Sequence, residues 1–143
     1  IGRIQLQRLA GWTVARTSNA MLLAEALADC SAVWVPLPPE SVTHAWYKFY
    51  AFVHSESLAD GWSRDRILAE ITALGYPAFS GSCSEIYLEK SFKDAGLAPL
   101  HRLPVAKQLG ETSLMFLVHP TITSKQMGAY ADAIRSVIQR ACR

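Results

Sequence analysis

The sequence predicts an α/β (α+β) chain: a small, mainly antiparallel sheet of three or four strands with helices packed on it. Three observations carry this. Two runs read as strands, residues 43–53, rich in aromatic side chains, and residues 113–118, nearly all apolar. Two stretches, 64–74 and 124–138, repeat apolar residues at helical spacing behind a capping residue. The elements then fall in the order helix, short strand, strand, helix, strand, helix, helix, strand, helix. Half of the 143 residues are hydrophobic and 18% are charged, which suits one domain with a real core and argues against disorder.

Residues 1–28 read as one long helix or two joined. Leu9, Trp12, Ala20, Leu23 and Leu27 recur at helical spacing, while Gly11 and Thr17-Ser18-Asn19 weaken the middle, where a kink is expected. The chain opens at Ile1 with Ile4, Leu6 and Leu9 already in the pattern and no capping residue ahead, the expectation for a piece of a longer protein. Residues 32–35 are a short β-prone run, closed by Pro36-Leu37-Pro38-Pro39. Residues 43–53 are expected to form a central strand covered on both faces. Trp46, Lys48, Tyr50 and Phe52 lie on one face, and Tyr47, Phe49, Ala51 and Val53 on the other. Lys48 either snorkels to an edge or faces a ligand anion.

Ser63 caps the next helix, whose buried stripe is Ile67, Leu68, Ile71 and Leu74, and Gly75 takes the left-handed position at its end. Residues 77–80 form a short strand, antiparallel to its neighbour or at the sheet edge. Ser84 is expected to cap a helix over 85–94, stopped by Gly96. Pro104 starts another through Leu109, stopped by Gly110. Residues 113–118 form an interior strand. Thr123 caps the last helix, with Met127, Tyr130, Ala131, Ile134, Val137 and Ile138 inward.

The formal net charge of +2 and the lack of a dense basic stripe argue against a nucleic-acid partner. No apolar run approaches the roughly 20 residues that span a bilayer, and no signal sequence is recognisable. The three cysteines, Cys30, Cys83 and Cys142, have neither disulfide-framework nor zinc-ligand spacing, which points to a cytoplasmic setting. The four histidines, His44, His54, His101 and His119, lack a ligand partner at helical spacing, so no metal site is expected. His119, at a strand end, reads first as a structural hydrogen bonder.

The stretch 75–92 is the candidate ligand loop. Gly81-Ser82-Cys83-Ser84 offers small side chains that let a ligand approach backbone, and Glu85 and Tyr87 follow at once with a charge and a phenol. The loop is also an anion-site candidate ahead of the predicted helix, although it lacks a P-loop ending. The other reading is a plain strand-to-helix connection. A nucleophilic Cys83 is disfavoured: no histidine lies near in sequence, and Glu85 would oppose a thiolate. Glu85 and Glu89, four apart on the predicted helix, read as one solvated face.

Five stretches, in order, resemble the C-terminal small domain of the DegT/DnrJ/EryC1/StrS sugar aminotransferases. They are residues 1–9, His44-Ala45-Trp46-Tyr47, the segment from Arg64-Asp65 to Gly75, Leu103-Pro104-Val105-Ala106, and Leu117-Val118-His119-Pro120-Thr121-Ile122-Thr123. The family's members are pyridoxal-phosphate enzymes of the aspartate-aminotransferase fold type. The resemblance implies that residues 1–143 are a single small domain whose helix 1–28 continues from a large cofactor-binding domain. It implies a parent that moves an amino group from glutamate to a keto-sugar nucleotide for lipopolysaccharide or related sugar synthesis, as a homodimer. Pyridoxal phosphate is implied for the parent, with none expected on this piece. Lys48, Lys90, Lys93, Lys107 and Lys125 do not sit in the Schiff-base motif, so this chain holds no catalytic residue and is expected to be inactive alone.

Many family members carry His-Tyr-Pro and Pro-Leu-His where this chain reads Gly81-Ser82-Cys83 and Glu85-Ile86-Tyr87, and a histidine where it has Tyr47. The resemblance places these positions on the cleft facing the cofactor. Ser82, Cys83, Glu85, Tyr87 and Tyr47 are therefore the candidate sugar-selecting residues, with no covalent role. The alternative is a non-catalytic ligand-sensing or regulatory α/β domain.

Overall fold

The computed structural model describes residues 2–143; Ile1, expected to begin the first helix, lies outside the described residues. In chain order the elements are α1 (Gly2–Leu27), β1 (Val33–Trp34), β2 (Phe49–Val53), α2 (Arg64–Ala73), α3 (Lys90–Asp94), α4 (Pro104–Thr112), β3 (Ser113–Phe116) and α5 (Ser124–Ala141). The sheet runs β1-β2-β3 and is antiparallel throughout, with Val33 opposite Val53 and Ala51 opposite Leu114. Phe79 adds a single antiparallel bridge to Met115 on the free side of β3. The predicted α/β class and the small antiparallel sheet are what the chain forms.

The core lies between the sheet and the helices α1, α2 and α5. β2 turns Phe49, Ala51 and Val53 inward, and all four residues of β3 are buried. α5 packs on both α1 and α2 and buries Met127, Tyr130, Ala131, Ile134, Val137, Ile138 and Ala141. Phe116 joins the layers. Its ring stands 6.5 Å from Phe49 and meets Tyr130 edge-on at 6.1 Å. Burial raises the pKa of the Tyr130 phenol, which donates to the Pro77 carbonyl. Each fully buried side chain of this size contributes about 1.5–3 kcal/mol through removal from water.

The predicted caps form. Ser63 Oγ accepts from Arg66 N at 3.2 Å. Thr123 and Gln126 make a reciprocal capping box at the start of α5. Gly75 takes the left-handed conformation, φ +86°. Just past the end of β3 the His119 carbonyl accepts from buried Asn19 Nδ2 at 3.1 Å, and the exposed ring Nδ1 lies 2.7 Å from Thr121 Oγ1.

Several expectations are corrected. The strand expected from residue 43 begins only at Phe49, because Trp46 adopts φ +47°. That turn folds the indole inward, 6.0 Å from the Phe49 ring, and leaves Tyr47 outside, so the expected faces of these two residues are exchanged. Nor is β2 covered on both faces, since Tyr50 and Phe52 stay half-buried. The helix expected over 85–94 is a short 3₁₀ turn, Ile86–Leu88, followed by α3, separated by the extended backbone of Glu89. Ser84 therefore caps no helix, and the anion site that needed a helix end there disappears. Gly110 does not stop α4, which continues to Thr112. The strand expected over 77–80 is reduced to the Phe79 bridge.

α1 is one continuous helix. Thr13 and Thr17 satisfy their hydroxyls on the carbonyls of Leu9 and Thr13, at 3.0 and 2.9 Å. Only its second half is buried; Leu9, which shares the helical spacing of Ala20, Leu23 and Leu27, is exposed with Ile4, Leu6 and Val14. Leu74, expected to be buried in α2, is likewise exposed.

Candidate functional site

Two neighbouring clefts meet at Ser82. The first, about 300 Å³, lies between the Trp46 turn and the loop after Phe79, and is lined by His44, Tyr47, Lys48, Tyr50 and Ser82 among others. The left-handed Trp46 builds it. It buries the indole and projects the next two side chains outward. Tyr47 is 73% exposed. Lys48 Nζ stands 5.5 Å from the centre of the Tyr47 ring and the Arg16 guanidinium 6.0 Å, so the ring has two cations within cation–π reach.

The far wall is the glycine-rich turn. Gly81 has φ +88°, and a Cβ there would lie 2.7 Å from Cε1 of Tyr50. Glycine is needed on both counts, the backbone angle and the close approach to the ring. The Tyr50 and Ser82 hydroxyls then meet at 3.2 Å across the cleft wall.

The second cleft, about 340 Å³, opens on the other side of Ser82 and is lined by Cys83, Glu85, Glu89, Arg102 and Glu111 among others. Glu85 is its most constrained group, with a side chain only 11% exposed. Arg102 Nε donates to Glu85 Oε1 at 2.8 Å, and the Arg102 terminal nitrogen donates to Oε2. Tyr87 Oη donates to Oε1 at 2.7 Å and accepts from Leu103 N at 2.9 Å. The Arg102 and Tyr87 hydrogen bonds hold the Glu85 carboxyl down to about 2, against 4.5 for the ordinary group. Tyr87 is raised, first by its partial burial and then by the adjoining carboxylate. Cys83 is exposed, and its thiol donates to Glu89 Oε1 at 3.5 Å.

The structure thus divides the candidate residues. Tyr47 and Ser82 share the first cleft. Ser82, Cys83 and Glu85 share the second, and Tyr87 supports Glu85 from behind. His44, Tyr50 and Arg102 also belong to these clefts and did not stand out in sequence. Arg102 is 17 positions from its partner Glu85, so local spacing carries no trace of the pair. Tyr50 alternates with Tyr47 along the expected strand, and only the turn at Trp46 brings both to one cleft.

The chemistry available is binding chemistry: hydroxyls, phenols, two cations and an imidazole around an open surface. Lys90, Lys93, Lys107 and Lys125 are exposed and Lys48 is half-exposed. Among the described residues there is no group of three or more His, Cys, Asp or Glu set to hold a metal. None of the described helices is long and apolar enough to cross a membrane. A larger cleft, about 550 Å³, lies at the C-terminal end of α1 against β1 and contains none of the candidate residues.

Residues 1–135 match the model of the DegT/DnrJ/EryC1/StrS aminotransferase family. An aminotransferase structure from Psychrobacter cryohalolentis is 52% identical over 98% of this chain and 38% of its own, with a TM-score of 0.92. A DegT DnrJ EryC1 StrS aminotransferase from Brucella abortus is 26% identical over 92% of this chain and 32% of its own, with a TM-score of 0.73. The aminotransferase TlmJ from Streptoalloteichus hindustanus, 17% identical with a TM-score of 0.81 over 96% of this chain and 35% of its own, shares the fold. The chain therefore spans about a third of the length of the relatives it matches. By the match over nearly its whole length, this chain belongs to the DegT/DnrJ/EryC1/StrS aminotransferase family.

Proposed function

We propose that this chain is the substrate-side, C-terminal domain of a pyridoxal-phosphate-dependent aminotransferase. In this reading the parent moves an amino group from glutamate to a keto-sugar nucleotide for lipopolysaccharide or a related sugar pathway. The family match over residues 1–135 carries the proposal. The parent works in the cytoplasm as a homodimer. Residues 1–143 form its single small domain, and the rest of the parent covers the exposed Ile4, Leu6, Leu9 and Val14 of α1.

The cofactor supplies the electron sink that amino transfer needs. This chain's own lysines do not fit that group, so the Schiff-base lysine and the phosphate contacts are assigned to the remaining length of the parent. What this chain supplies is recognition. Tyr47 and Ser82 face the first cleft beside Lys48 and His44, groups suited to sugar hydroxyls and to an anionic nucleotide portion. Cys83, Glu85 and Tyr87 complete the sugar-selecting set on the second.

The test is made on the full-length parent. It should show the absorbance of bound pyridoxal phosphate and transfer nitrogen from glutamate to a keto-sugar nucleotide. A parent that neither binds the cofactor nor transaminates overturns the reading in favour of a ligand-sensing or regulatory module.

A further inference from the structure

Resting on the sugar-selecting reading of residues 81–87, we propose that Arg102 is a positioning residue: its two-pronged bridge to Glu85 holds the 81–85 loop so that Ser82 faces Tyr50 and Tyr47 across the first cleft. No residue from 81 to 103 is buried. The hydrophobic core therefore does not place this loop. Its backbone is tied into the sheet at Phe79, which exchanges bonds with Met115 at 3.1 and 2.7 Å. Beyond that point the supports are polar.

The loop is gripped from two sides. On one side Gly81 lies flat against the Tyr50 ring and Ser82 meets the Tyr50 hydroxyl. On the other, Arg102 takes both oxygens of Glu85 in a fork, the geometry that fixes direction as well as distance. Tyr87 adds a third donor, and its oxygen accepts in turn from the Leu103 amide at the entrance to α4. Glu111, from the far end of α4, holds Arg102 at 3.3 Å.

α4 is itself anchored. Arg64 Nη1 donates to the Gly110 and Ser113 carbonyls at 3.0 and 3.1 Å. Gly110 lets the loop sit directly on the helix, since a Cβ there would lie 2.5 Å from Ser84 Oγ. The chain of support runs from α2 through α4 and Arg102 to Glu85, three residues from Ser82.

The same geometry separates Glu85 from a direct sugar contact. Its two oxygens already accept three donors, and little of the side chain reaches solvent. Glu85 and Tyr87 thus influence the sugar through the position of Ser82 and Cys83.

A double-mutant cycle in the full-length parent tests this. R102A, E85A and the double variant should each raise KM for the keto-sugar nucleotide by about the same factor, on the order of tenfold, as displacing a positioned group does. Turnover at saturation, the cofactor absorbance and the urea midpoint should stay at wild-type values. R102K, which keeps the charge without the fork, should fall between R102A and wild type. An unchanged KM in R102A, or penalties that multiply in the double variant, overturns the proposal. Amide exchange of residues 81–87 is read on the same proteins and should accelerate in R102A while α5 stays protected. If the wild-type parent does not transaminate, the function reading falls. The exchange result then judges the bridge alone: unchanged exchange overturns it, and faster exchange leaves it standing as the loop's support.

Discussion

Helix α5 and the segment 81–103 are held by opposite means. α5 buries Met127, Tyr130, Ala131, Ile134, Val137, Ile138 and Ala141 and is fixed by packing against α1 and α2. Residues 81–103 bury none, and depend on Glu85, Tyr87 and Arg102 for their position. Packing is spread over many contacts and tolerates the loss of any polar one. A directional bridge is concentrated in a few atoms and can be retuned by a single substitution without unfolding the scaffold. A loop held this way can change its conformation while the fold stays constant.

The contrast is broken most severely from the packed side. Ile134→Ala removes a fully buried side chain of the core and should cost about 2–5 kcal/mol, read as a lower urea midpoint. On the loop side, Gly81→Ala forces a Cβ into the Tyr50 ring at a left-handed backbone angle. It should cost about 1–3 kcal/mol where the backbone is held rigidly, and less where the loop yields. Amide exchange at residues 81–84 should rise more than the urea midpoint falls. Thr123→Ala deletes the capping box of α5 and should lower stability by about 1 kcal/mol in the same denaturation measurement.

The smallest effect sharpens the comparison through pH. The Glu85 carboxyl is held at about 2, below its ordinary 4.5, so the hold of its bridge on the loop, a local protection and not a global one, is present above about 4.5 and lost as pH falls through about 2. The difference in loop protection between wild type and E85A should be constant near neutrality and shrink across that acid window. Protection in α5 should not follow the same curve. A difference that vanishes already near pH 6 would show that Glu85 lacks the partners described.

The packed half was legible in the sequence because its signals are local and redundant. Ser63, Gly75 and Thr123 mark ends, and the stripe from Met127 to Ile138 is read from spacing alone. The loop half was legible in composition but not in conformation. Ser84 followed by a helical pattern implied a cap, yet the bridge from Arg102 pins Glu85 outside helical geometry and the helix breaks at Glu89. Gly110 looked like a stop because the need for its missing side chain lies in Ser84, far away in sequence. Trp46 looked like one more strand residue, and tertiary burial of its indole overrode the alternation. Ser82, Cys83, Glu85 and Tyr87 became candidates by their residue types in a loop of small side chains, and Tyr47 by the family resemblance alone. Their division between two clefts, and the part of Tyr50 and Arg102, needed the fold.

The most direct measurement is the steady-state kinetics of the full-length parent carrying Tyr47→Ala and Ser82→Ala, with the cofactor spectrum recorded on the same sample. The account predicts a KM for the keto-sugar nucleotide raised by at least about tenfold, with the absorbance of bound pyridoxal phosphate unaltered. Wild-type kinetics in that variant would contradict it.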